Sequence, residues 1–180
     1  MRRPALLAAL LAACAGPVRM PDPPHADAAR ESTMVLDGRC SAVVATARSL
    51  WTAGHCLRAR TVLYRPWQGP EAVAELLALH DLPDLAELRT RQAWSRVPVA
   101  RFPVLGEPAY VVHHRCPGGW CVTEGRVVYA STLLREAALD ATPPAGASGS
   151  GVWGHDGALL GVVTHLGLTT GRAYFSVTAW

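Results

Sequence analysis

The chain has 180 residues, half of them hydrophobic and 17% charged, enough to pack one domain or two small subdomains around a shared core. All 17 basic residues are Arg, set against 14 acidic residues for a net charge of +3, and no basic run is longer than Arg2-Arg3, so nucleic-acid binding is not indicated. Lys, Asn and Ile are absent, a bias that points to GC-rich bacterial coding, and without Asn there is no N-glycosylation acceptor.

The beginning of the chain reads as an export signal. Arg2 and Arg3 precede an apolar stretch from Pro4 to Ala13 that is too short to remain as a membrane span. Leu11-Ala12-Ala13-Cys14 resembles a bacterial lipobox. That resemblance implies cleavage before Cys14, diacylglycerol on its sulfur and retention at the cell envelope by acyl chains. Ordinary signal cleavage near Ala13 or Ala15 is the alternative. Residues 1–14 are thus expected to be a signal peptide ending in a lipobox. Residues 15–33, with Pro17, Pro21, Pro23 and Pro24 and no periodicity, read as a tether. The folded domain is expected over 34–180.

From there, short apolar runs alternate with Gly/Pro turns and long helical periodicity is missing. Strands are predicted over 41–47, 49–52, 61–64, 72–80, 85–88, 109–113, 122–128, 151–153, 159–165 and 174–177. Propensity also allows a helix over 72–79, and 132–139 is ambiguous. The fold class is all-β, as barrels or a sandwich.

Besides Cys14 there are four cysteines, an even number that suits an oxidising compartment. Cys116 and Cys121 flank the turn Pro117-Gly118-Gly119-Trp120, a place for a hairpin disulfide. A metal site built from these two with His113 and His114 is the alternative, although the spacing matches no zinc pattern well. His113 and His114 face opposite sides of a strand. The expectation is no metal and no cofactor.

Three short strings carry chemistry: Thr52-Ala53-Gly54-His55-Cys56, Asp84-Leu85-Ala86-Glu87-Leu88 and Gly146-Ala147-Ser148-Gly149-Ser150. Serine is a poor nucleophile without a base beside it. A neutral imidazole serves as that base near neutral pH. A carboxylate behind the imidazole, expected to be buried, fixes its tautomer. His55, Asp84 and Ser148 supply these roles in the order His, Asp, Ser. Glycines beside Ser148 let the Gly146 and Ser148 N–H groups converge as an oxyanion hole. An α/β-hydrolase elbow does not fit, because its fifth residue would be Gly rather than Ser150 and its triad runs in another order.

From about Leu36 to Trp180 these motifs resemble the chymotrypsin-fold, trypsin-like serine peptidases of the compact bacterial kind, with Gly146–Ser150 closest to the serine motif of glutamyl endopeptidases. The resemblance implies two antiparallel six-stranded β-barrels with their boundary near 95–108, a His55–Asp84–Ser148 triad in the cleft between them, and peptide or protein substrates. It implies a Cys40–Cys56 disulfide. It places Thr142 at the base of the primary pocket and Thr164 and His165 on the strand that pairs with substrate. Ala147 replaces the acid that pairs with a newly cut N-terminus in many relatives, so that route of activation is not expected. A catalytically silent, protease-fold binding lipoprotein is the alternative function.

Overall fold

The structure, a computed structural model, describes residues 22–80, 83–116, 119–167 and 169–178. It contains the expected pair of barrels, each closed and antiparallel. The first consists of β1 (Thr33–Leu36), β2 (Cys40–Thr46), β3 (Ser49–Ala53), β4 (Thr61–Pro66), β5 (Ala72–His80) and β6 (Leu85–Thr90), in the order β1-β2-β3-β6-β5-β4. The second consists of β7 (Pro108–Cys116), β8 (Gly119–Ser131), β9 (Glu136–Leu139), β10 (Gly151–Gly154), β11 (Leu159–Gly167) and β12 (Arg172–Val177), in the order β10-β11-β12-β9-β8-β7.

Alternation explains most strands. In β4, Val62, Tyr64 and Pro66 are buried while Thr61, Leu63 and Arg65 face outward. The ambiguous run 72–79 lies in a strand, because β5 pairs with both β4 and β6 and its backbone groups are satisfied there. Two strands lay beyond the sequence pattern. β1 reads Thr-Met-Val-Leu with every residue buried, so it has no polar face to reveal a period of two. β9 reads Glu-Ala-Ala-Leu, helix-forming by propensity, yet it is held between β8 and β12; tertiary pairing overrides local preference.

The segment read as a tether contributes helix α1 (Ala26–Glu31), a correction to the expectation that it stays outside the fold. Ala26 and Ala29 are buried in a third cluster with Val43 and Leu85 of the first barrel and Tyr110, Val112, Trp153, Leu159 and Val162 of the second. This cluster is the seam between the barrels, distinct from the two barrel interiors. The Tyr110 hydroxyl donates to the Pro24 carbonyl at 3.1 Å. Arg30, buried beside it, is neutralised by Asp22 and Asp27 at 2.6 and 2.8 Å. The crossover between the barrels follows β6, and its Val99 and Arg101 bond to both backbone groups of Leu159. The Arg101 guanidinium pairs with Glu107 and Asp156, which raise its pKa further.

Candidate active site

His55 sits in a 3-10 turn, Gly54–Cys56, directly after β3. Asp84 immediately precedes β6, and β3 and β6 are paired neighbours ending with Ala53 opposite Leu85. The sheet therefore brings together two residues 29 positions apart. Asp84 adopts a left-handed φ of 57°, a conformation Asp tolerates better than most side chains. Its carbonyl accepts from Gly54 N–H at 2.9 Å. One carboxylate oxygen accepts from His55 N–H at 3.0 Å, and the other lies 2.7 Å from His55 Nδ1. A carboxylate has no proton to give, so Nδ1 is the donor and the lone pair resides on Nε2. The acid is not buried as expected: the Asp84 side chain is 41% exposed and His55 49%. Its orientation comes from two-point bonding rather than from burial.

Ser148 comes from the second barrel, in the loop leading into β10. Its carbonyl accepts from Ser41 N–H of β2 at 2.8 Å, while the next N–H, of Gly149, donates to Val163 of β11 at 2.7 Å. The residue is thus suspended between the two barrels. Gly149 has φ +83°, and a Cβ there would fall on the Ser41 carbonyl and within 2.5 Å of Thr52 Oγ1. The position therefore accepts only glycine. Ser41 adjoins Cys40, which is disulfide-bonded to Cys56 beside His55. One short covalent path joins the strand that holds Ser148 to the turn that holds the imidazole. Closing that loop contributes on the order of 3 kcal/mol. Among the described residues the Ser148 hydroxyl is not hydrogen-bonded to His55.

Hydrogen bonding within this loop is selective. The N–H groups of Ala147, Gly149 and Ser150 donate to Pro144, Val163 and Ala147. Those of Gly146 and Ser148 have no acceptor among the described residues. Buried Ala147 is held by its bond to Pro144.

Thr164 and His165 line a groove of about 630 Å³ together with Asp84, Leu133 and Leu134. A bulge between Val163 and His165 turns Thr164 inward and leaves His165 exposed. The His165 ring stacks on Tyr174 with centroids 4.5 Å apart. Thr142 is exposed, donates to the Gly171 carbonyl at 3.0 Å and does not line this groove. Leu133 and Leu134 carried no signal in the sequence, because their loop lies in the ambiguous stretch before β9.

Cys116 is bonded to Cys121 across the β7–β8 hairpin. Of the alternative metal ligands, His113 lies with both sulfurs, the donor atoms being within 4.8 Å of one another. His114 faces away, with Nδ1 3.2 Å from Ser41 Oγ. Burial lowers the pKa of His113 to about 4. It does the same to His114, aided by Arg115, His113 and Arg65. Cys14 lies outside the described residues.

A family model described as "Trypsin-like peptidase domain" matches residues 40–162. No curated protein matches. Among solved structures, a serine endoprotease from Yersinia pestis is similar, with a TM-score of 0.74 and 22% identity over 88% of this chain and 64% of that one. The inactive form of Rv3671c protease is similar, with a TM-score of 0.71 and 17% identity over 90% of this chain and 93% of the other. The present chain therefore spans less than two thirds of the length of the Yersinia structure. At these identities the structural likeness establishes the fold.

Proposed function

Because the chain belongs to the trypsin-like peptidase family, we propose that it is a serine endopeptidase acting through an acyl-enzyme on His55, Asp84 and Ser148. The observation that carries this reading is the two-point grip of Asp84 on His55, which leaves Nε2 as a free base. In the first half-reaction Nε2 takes the Ser148 proton as Oγ bonds to the substrate carbonyl carbon. The carbonyl oxygen gains negative charge and meets the unspent N–H groups of Gly146 and Ser148. One such donor is worth about 3 kcal/mol in the transition state. Collapse breaks the C–N bond, and the imidazolium proton goes to the leaving amine. Water then attacks the ester carbon, gives its proton to Nε2, and the returning proton releases Ser148 and a carboxylic acid. The chemistry calls for no cofactor.

The test is covalent labelling with a fluorophosphonate. The folded protein is expected to react, and Ser148→Ala is expected not to. An unlabelled wild type, or equal labelling of the variant, would reject the enzyme and favour the silent binding protein.

We also propose that the protein is exported and held at the envelope by acyl chains on Cys14; the leader composition supports this. Bacterial cells expressing the chain and fed an alkyne fatty acid should tag the wild type but not Cys14→Ala. Tagging of neither would point to simple signal cleavage.

A further inference from the structure

The loop that holds Ser148 has two flanks. On one side lies β11, whose Thr164 and His165 border the groove beside Asp84. On the other side, against Gly146, lie the β1–β2 turn and the end of β7. Arg115 leaves β7 there, and its guanidinium donates to the Arg39 carbonyl at 2.8 Å. A Cβ on Gly146 (φ +93°) would lie 3.1 Å from Arg115 Cζ and 2.8 Å from the Arg39 oxygen. The cation is therefore laid directly over Gly146, whose N–H has no acceptor among the described residues. Arg39 and Arg115 are both exposed, and neither has a carboxylate partner among the described residues. Arg65 shares the neighbourhood, since its charge and that of Arg115 both act on His114. Arg39, Arg65 and Arg115 thus make a group of positive charges on this flank, and on the peptidase reading a substrate lying along β11 would meet it past the cleaved bond.

We propose that Arg115, braced by Arg39, is a specificity residue that binds an acidic side chain on the leaving-group side of the substrate, within two residues of the cleaved bond. This rests on the peptidase reading above. An exposed guanidinium–carboxylate contact is weak, but here the guanidinium is already fixed by its bond to the Arg39 carbonyl. Such a contact favours a Glu-bearing peptide over its Gln counterpart by roughly fivefold in kcat/KM. The preference should shrink in 1 M salt, where screening acts within about 3 Å.

The experiment compares matched peptides bearing Glu, Gln or Arg at each of the two positions after the cleaved bond. Each is assayed with wild type, Arg115→Gln and Arg115→Glu. Because the readout is a ratio between peptides for one enzyme, partial misfolding of a variant cancels. Wild type is expected to favour Glu, Arg115→Gln to lose that preference, and Arg115→Glu to favour Arg. Equal rates on Glu and Gln peptides by the wild type would overturn the proposal, as would an unchanged preference in both variants. Fluorophosphonate labelling separates the two readings: a labelled enzyme without acidic preference defeats this inference alone, whereas no labelling and no cleavage defeat the peptidase reading and this one with it.

Discussion

Two carboxylate oxygens on one histidine do different work. The bond from Asp84 to the His55 backbone fixes where the residue sits, and the bond to Nδ1 fixes which nitrogen holds the proton. Asp84→Asn keeps the shape but can present an amide N–H to Nδ1, which then must accept, moving the proton to Nε2. The expected result is a fall in kcat of about 10⁴ with little change in KM and a folded protein, since the carbonyl of residue 84 still bonds Gly54. Steady-state kinetics beside circular dichroism checks this. A large loss of structure would show that Asp84 holds the fold rather than the tautomer. The acid can do this while partly exposed, because a hydrogen bond to a fixed partner sets a tautomer without a dry interior.

Among the elements, β7 concentrates the titratable groups that folding shelters. His113 donates to or accepts from Thr123 Oγ1 at 2.8 Å, and His114 meets Ser41 and packs edgewise on Trp120. Burial lowers both pKa values to about 4 from 6.5. Between those values the unfolded chain binds more protons than the native one, so stability rises with pH across the window. It is full above about pH 6.5 and is lost as pH falls toward 4, on the order of 3 kcal/mol for His113 alone. Urea midpoints measured from pH 7 to 4 should fall along this limb, and replacing both histidines by Gln should flatten it. An equally steep fall in the double variant would assign the acid sensitivity to other groups. Because β7 also delivers His114 to Ser41, acid is expected to loosen the support of the Ser148 loop before the barrels part.

For the molecule as one unit, the proposed triad requires the two barrels to be held as one body. The seam cluster does this with Leu85, one residue from Asp84, packed among Val43, Tyr110, Val112 and Trp153. Fully buried Leu85 truncated to Ala should cost about 2–5 kcal/mol. It should also lower kcat/KM, since the gap opens between the acid and the serine. Denaturant unfolding and peptidase assays test both parts. Lost stability with unchanged kcat/KM would mean that the seam tolerates a cavity without moving the site. α1 covers the same seam, which explains why a Pro-rich stretch is folded here: Ala26 and Ala29 are small enough to lie flat on it.

Short-range pattern along the chain was enough for the fold class and for naming the candidate residues, of which His55 and Asp84 are brought together. Alternation in runs such as 61–64 fixed strands because one side of a barrel wall is wet and the other dry, and His55, Asp84 and Ser148 stood in short strings whose neighbours are constrained by local geometry. What it could not give were features whose partners are distant in the chain. β1 has no polar face, β9 prefers helix in isolation, and Ala26–Glu31 has value only against Tyr110 and Trp153. The placement of Arg115 over Gly146 was equally hidden, since nothing near either residue names the other. Local chemistry can be read from neighbours along the chain. Contacts that close a barrel, seal a seam or bring a cation to an amide exist only after folding has removed the distance between them.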